Sequence, residues 1–579
     1  LGFTDSFDPS GEYHGFAWAI YSNLLLRTLV TYRHVEGPDG AVLVPDLATE
    51  LPEPADGGLT YTFHLKHNIR FGPPLSRGIR SRDIAYAFER IGDPRVAAQY
   101  GFYYINLIKG MKSFNYGHSD HISGIETPDD RTIVFHLKRA TGDFLYRVSM
   151  PATAPIPRKV AHCFRSAGDY GRFVIASGPY MLEGSEDLDI GHGCEGMRRI
   201  SGYDPSKRIT MSLVRNPDYD TRTDDREIRE NLVDRVEFRS YENTNQMFRH
   251  IEHGKLESAA YEPRPKRIRR YENHPELNAT LQSSHLDRTW YLTMNLTQPP
   301  FDDVHVRKAV NLVIDKAAIR DKWGGDFAGR VATHILPPDM TTGHPDASEY
   351  DPYPSPGSGG DVDAAREEMK QSRYDTDDDG LCDADECHEV LALSRNYDPW
   401  GAMDDGIVAD LAKIGIDLRL RERADFYTPI QTVQKSIPIG LGPGWGKDYP
   451  DGHTFMPLLF GEEGLLCTGN TNYSLVGATP RTKKKCRASG DFSNVPSVQA
   501  DIDTCDSTPV GDDRTACWVD LDKHLMEDVV PWVPYLWDDQ ISLVGPGVSK
   551  YEFDQFSGYF AFAHMAVDKT RQKGLAPGG

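Results

Sequence analysis

The stretch from 390 to 448 limits what this chain can fold into more than any other. Val390 to Leu393 form a short apolar run, Asp404 and Asp405 precede Ile407, Val408, Leu411 and Ile414 at helical spacing, and Gly415 follows. Ile416, Leu418 and Leu420 then alternate with Asp417 and Arg419. An apolar strand, a helix with an acidic start and a glycine stop, and an alternating strand read as one strand–helix–strand unit. A connection of that length joins parallel strands, since a tight hairpin can join only antiparallel ones. A further apolar strand, Ile437 to Leu441, runs straight into Gly442-Pro443-Gly444-Trp445-Gly446-Lys447-Asp448-Tyr449. In parallel α/β sheets ligands sit beyond the carboxyl ends of the strands, where loops vary over a fixed frame, so this loop is the first candidate for function.

A chain of 579 residues outgrows one hydrophobic core and implies two or more domains. Near the start, Tyr61, Phe63 and Leu65 alternate within 60–66, as do Ile133, Phe135 and Leu137 within 132–137. Between them Ser81 is placed to cap a helix with a stripe of Ile84, Ala85, Phe88 and Ile91, so this part is an α+β module. A second helix opens at Asp302 and Asp303 and carries Val306, Ala309, Val310, Val313 and Ala317, behind a strand at 290–295 and a turn at Pro299-Pro300. Segments 183–208 and 341–362 read as loops, and 462–516 as a polar stretch that needs its disulfides for order.

The formal net charge of −22 opposes long-range attraction to nucleic acid or to an anionic membrane. The basic run Arg264, Lys266, Arg267, Arg269 and Arg270 reads as a solvated face. No apolar run reaches the roughly 18 residues that cross a bilayer. Residue 1 begins without a basic and apolar leader, which implies that any export signal has already been removed.

Eight cysteines without a C-x-x-C pair fit four disulfides in an oxidising compartment better than a zinc ribbon or a redox motif. Sequence neighbours are the expected partners: Cys163 with Cys194, Cys382 with Cys387, Cys467 with Cys486 and Cys505 with Cys517. Spacing alone leaves the connectivity open, and a set of buried thiols is the alternative.

Enzyme signatures are missing: there is no G-x-S-x-G and no H-E-x-x-H, and Asp448 stands where a phosphate loop needs Ser or Thr. His118 with His121, and His250 with His253, lack companion ligands and read as surface histidines. One metal pattern is specific. Residues 375–386 match D-x-[DN]-x-[DN]-G-x5-E at every fixed position. Calcium takes about six to eight hard oxygen ligands. Asp375, Asp377 and Asp379 offer carboxylates, Leu381 its carbonyl, Asp383 a direct or water-mediated contact and Glu386 a bidentate closure, while Gly380 allows the sharp turn. The loop precedes strand 390–393 whereas the candidate ligand loop follows strand 437–441, so Ca2+ is expected at the opposite sheet end, as a structural staple.

Several strings then follow one another in a recognisable order: Val44-Pro45-Asp46-Leu47-Ala48, Leu59 through Phe71, Ser81 through Phe88, Ser177-Gly178-Pro179-Tyr180, and Arg215-Asn216-Pro217-Asp218-Tyr219. Asn295 with Val306 to Val310, Ile314-Asp315-Lys316 and Gly444 through Asp451 complete the series. Together they give a chain that resembles the extracytoplasmic solute-binding proteins of ABC importers, in the large oligopeptide/dipeptide-binding cluster of family 5. The resemblance implies an α/β, two-lobed, three-domain periplasmic-binding-protein-like fold (type II, large cluster C). Domain I would comprise 1–45, 176–283 and 530–579, domain II 46–175, and domain III 284–529 with the calcium loop inside it.

It further implies a binding protein, not an enzyme, that works as a monomer without nucleic acid. Such a protein captures peptides outside the cytoplasm, in the periplasm or lipid-anchored on the outer face of the cytoplasmic membrane, and delivers them to ABC permease subunits. In peptide binders of this family the Asp of the G-W-x-x-D string pairs with the ligand's α-ammonium, a role that would fall to Asp448. Trp445 would add apolar contact, and Gly444, Tyr449 and Asn295 are further ligand-binding candidates. No basic residue stands just before Gly444, where some relatives hold a peptide carboxylate, and Lys435 is the expected substitute. The same fold holding a glycan or metal chelate is the alternative reading, and a secreted calcium-dependent hydrolase the remote one.

Overall fold

The computed structural model describes residues 6–341, 344, 347, 349–568 and 570. They form two compact units, the described residues of 6–262 with 279–282 and 542–570, and those of 263–278 with 283–541.

In the first unit, alternation buries Tyr61 and Phe63 on β1 (Thr60–His64) and Ile133 and Phe135 on the antiparallel β3 (Thr132–His136). β2 (Ile125–Asp129) pairs with the other side of β3. Helix α1 (Ser81–Gly92) buries Ile84, Ala87, Phe88 and Ile91. Its cap is Arg80, not Ser81: the Asp83 carboxylate accepts the Arg80 N–H at 2.9 Å and a two-bond fork from Arg77 at 2.7 Å each, so the reverse half of a capping box fixes the start. A second antiparallel sheet runs β4 (Tyr180–Leu182), β5 (Ile209–Arg215), β6 (Arg235–Arg239), with β6 at its edge, followed by α2 (Thr244–Glu252). Arg27, Asp46, Asp224 and Arg229 are buried together, and Asp46 meets Arg27 Nε at 2.6 Å and Arg229 Nη2 at 3.0 Å. Each buried charge there has an opposite partner, without which burial would cost several kcal/mol, on the order of 3–5.

The second unit opens with α3 (Pro265–Glu272), which buries Ile268 and Tyr271 and turns Lys266, Arg269 and Arg270 outward, the solvated face read from the sequence. Next come β7 (Leu281–Met294), α4 (Val304–Val313), α5 (Lys316–Trp323), β8 (Gly329–Val331), β9 (Val390–Arg395), α6 (Trp400–Ala412), β10 (Leu418–Arg423), β11 (Ile439–Gly440) and β12 (Gly444–Gly446). Helices α7 (Gln499–Ser507) and α8 (Asp512–His524) precede β13 (Trp532–Leu543). The sheet runs β8-β13-β7-β11-β9-β10, with β12 also on β7. β9 is parallel to both β10 and β11, as the strand–helix–strand pattern requires.

Two expectations shift. α6 starts at Trp400 rather than at Asp404, because its buried stripe reaches back through Met403 to Trp400. Asp404 is consequently inside the helix with no exposed surface, and burial pushes its carboxyl up to about 7. The helix opened by Asp303, whose carboxylate accepts the His305 N–H at 2.9 Å, stops at Val313, and Ala317 belongs to α5, capped by Asp315. The compact units divide at 541, and β13 is hydrogen-bonded into the second unit's sheet. All four expected disulfides form.

Candidate ligand-binding site

Parallel β9 and β11 pair Leu393 with Gly440, so their carboxyl ends reach the same sheet edge. Beyond β11 the chain cannot carry side chains at two points. A Cβ on Gly442 would lie 2.7 Å from the Trp400 indole nitrogen, and one on Gly444 2.5 Å from the Trp290 ring. Held that close, the loop pairs as β12 with β7, Gly444 opposite Trp290, Trp445 opposite Thr289 and Gly446 opposite Arg288. The Trp445 indole donates to Thr454 O at 2.8 Å. Lys447 forms a buried ion pair with Asp287, and its N–H donates to Asp287 O at 3.0 Å. Asp448 follows, half-buried, and Tyr449 is fully buried beneath the loop.

The far side of the loop is clamped by the cysteine-bearing stretch. Arg514 on α8 forks onto the Asp451 carboxylate at 2.7 and 2.8 Å and also donates to the Asp506 carbonyl at 3.0 Å. His453 pairs with Asp506, and Cys505–Cys517 ties α7 to α8. All four side chains of this network are buried.

A buried basic group at this sheet end went unnoticed in the sequence. Arg395 ends β9 and donates from Nε to Gly442 O at 2.9 Å, from Nη1 to the Tyr397 hydroxyl at 2.7 Å and from Nη2 to the Tyr427 hydroxyl at 2.7 Å. Its guanidinium stacks over Trp400 (4.6 Å), Tyr427 (4.8 Å), Phe426 (5.3 Å) and Trp290 (5.4 Å), and the residue keeps 9% of its surface exposed. The available signal was its position as the polar last residue of an apolar strand pointing at the candidate loop. Lys435, by contrast, is exposed ahead of β11, at the opposite end from the loop. Asn295 also lies at that opposite end. Its N–H bonds Pro438 O, its amide donates to Ile437 O at 3.1 Å and its carbonyl accepts from Thr297, so its polar atoms brace the chain. Among the predicted ligand residues, the structure therefore gathers Gly444, Trp445, Asp448 and Tyr449 and leaves Asn295 apart.

At the amino end of the same strands, ligand atoms of Asp375, Asp377 and Asp379 lie within 4.8 Å of one another. The Asp375 carboxylate accepts the N–H groups of Asp378 and Gly380 at 2.8 Å each, and Gly380 has φ +85° with Arg366 backbone against it. Repulsion from Asp379 raises the Asp377 carboxyl, as expected where like charges crowd together. Asp383 instead bonds Thr376 N and Oγ1 at 2.9 Å, and Glu386 is exposed, so neither joins the trio. Cys382 N donates to Ile414 O at 2.9 Å, docking this loop on the turn before β10.

Residues 42–465, well over half of the chain, match the family described as bacterial extracellular solute-binding proteins, family 5 Middle. The chain belongs to the bacterial extracellular solute-binding proteins, family 5. This family 5 protein is 22% identical to Heme-binding protein A of Haemophilus influenzae, over 98% of its own length and 90% of the relative's. Di/tripeptide-binding protein 1 of Pseudomonas aeruginosa is 24% identical over 79% of this chain and 76% of its own. Among solved structures, Clavulanic acid biosynthesis oligopeptide binding protein 2 superposes with a TM-score of 0.81 at 26% identity, covering 98% of this chain and 94% of that one. The α/β fold of this family 5 member is thus that of the oligopeptide-binding proteins.

Proposed function

We propose that this protein captures peptides outside the cytoplasm and presents them to the permease of an ABC importer. The observation that carries the reading is the presence of opposite charges on and against one loop: Asp448 on the loop after β11, and Arg395, which holds that loop through Gly442. A short peptide is a zwitterion. Its ammonium fits Asp448, and its carboxylate fits the guanidinium, three of whose five N–H groups are engaged by Gly442, Tyr397 and Tyr427. Each charge-assisted contact is worth roughly 1.5–3 kcal/mol. The tryptophans around Arg395 exclude water there and strengthen the contact to the guanidinium. The chemistry asked of these groups is recognition alone, which agrees with relatives named for what they bind.

Asp448→Ala tests this directly. By calorimetry it should weaken free-amine di- and tripeptides far more than their N-acetylated forms; equal losses would remove the ammonium role. Four disulfides support folding in an oxidising, extracytoplasmic compartment. We also propose that the 375–386 loop holds Ca2+ structurally, with Asp375, Asp377, Asp379 and the Leu381 carbonyl as inner ligands and Asp383 and Glu386 drawn in on binding; the carboxylate trio supports it. A non-peptide cargo is the second reading, favoured by the near full-length alignment with a heme-binding protein.

A further inference from the structure

A cavity of about 670 Å3 lies wholly within the first unit and uses none of the residues assigned to the ligand loop. That volume is in the range of about 300–1,000 Å3 common for small-ligand sites. The order of its lining is informative. Every residue of Val233–Tyr241 and every residue of Leu256–Tyr261 lines it. Strand side chains alternate between faces, so a cavity over one face would touch every second residue; one that touches all of them runs along the strand's edge. β6 is the edge strand of its sheet, paired with β5 on one side.

Two bonds tell which main-chain groups face the cavity. Ser240 N donates to Arg208 O at 2.9 Å, and Phe238 O accepts from Thr210 Oγ1 at 3.2 Å. Residues 236, 238 and 240 therefore direct their N–H and C=O toward β5, and Arg235, Glu237 and Arg239 direct theirs the other way. The side chains divide just as cleanly. Phe238 stands edge-on to Phe16 at 5.8 Å and to Phe562 at 5.6 Å, an aromatic wall. On the opposite face Glu237 meets both Arg235 and Arg239 at 2.9 Å, and Arg235 also meets Glu183 at 2.6 Å, a charge ladder closed on itself.

We propose that this edge of β6 is a second binding site, which takes an extended peptide by strand addition. The ligand would span about five residues, with apolar or aromatic side chains at alternate positions beside Phe238 and uncharged polar ones beside the closed ladder. Its affinity comes from main-chain hydrogen bonds to Arg235, Glu237 and Arg239, so it needs neither an ammonium nor a carboxylate. The site goes beyond the capture of zwitterionic peptides proposed above and does not depend on it.

The test uses the full chain and the end-blocked peptide Ac-Thr-Phe-Thr-Val-Thr-NH2 in calorimetry. Saturable 1:1 binding is expected. In an added strand every second N–H faces the host, so N-methylation on one alternating set of amides should cost at least about tenfold and on the other set little. Ala259→Trp, which fills the cavity from its second wall, should abolish binding, and Asp448→Ala should leave it intact. Absence of saturable binding, equal effects of the two methylation sets, or undiminished affinity in folded Ala259→Trp would each overturn the proposal. So would loss of binding in Asp448→Ala, which would place the blocked peptide at the other site. The methylation arm leaves the protein unaltered, so it decides the matter even if Ala259→Trp does not fold. An Asp448→Ala variant that binds zwitterionic peptides normally would end the earlier reading and leave this one standing.

Discussion

Asp404→Asn isolates the energetic cost of the charge that α6 buries. The Asp404 carboxyl has no exposed surface and titrates at about 7 in the fold, against 3.8 when unburied. The folded state therefore holds the proton more tightly, and stability falls as pH rises from about 4, levelling off once pH passes about 7. Across the span from 3.8 to about 7, at about 1.36 kcal/mol per pH unit, the loss is at most about 4 kcal/mol. Asparagine has a similar shape and no proton to lose, so its advantage over the parent should be small near pH 4 and full above about pH 7. Urea unfolding of both proteins, followed by tryptophan fluorescence at steps between those values, reads this as a widening gap between midpoints. Titration of every other carboxylate cancels in the difference. A gap that stays constant across the range, or that is widest in acid, would refute the buried, proton-retaining carboxyl.

Arg395→Ala should weaken peptides with a free carboxylate by about 10–100-fold while changing their C-terminal amides little, measured by calorimetry. Excess EDTA should lower the melting temperature relative to calcium-loaded protein; superimposable curves would withdraw calcium from the 375–386 loop. Arg514→Leu strands Asp451 in the interior and should cost about 3–5 kcal/mol in unfolding free energy, whereas the double variant with Asp451→Leu should recover much of it, because no lone charge is left behind.

Much of the second unit was legible because its signals are local. Val390, Ile407, Leu411 and Leu418 state their periodicities within a few residues, and the neighbouring cysteines find each other across short loops. The ligand loop followed from a rule about strand ends. What escaped depends on contacts distant in sequence. Arg395 matters because Gly442, 47 positions away, accepts its Nε–H. Arg514 sits in a stretch without periodicity, yet it fixes Asp451 63 positions before it. The place of Asn295 escaped for the converse reason: membership in a family string says nothing about which end of β7 a residue occupies. Asp404 looked like a helix start because acidic residues usually are, and only the packing of Trp400 and Met403 shows otherwise.

The acidic trio and the candidate ligand loop stand at opposite ends of β9, whose six residues extend for about 20 Å. That exceeds twice the Debye length of about 8 Å at physiological ionic strength, and Asp377 and Asp379 face solvent. On the proposed reading, a divalent ion taken up there would be electrically insulated from a guest at the loop, so ion dependence and cargo preference could change independently.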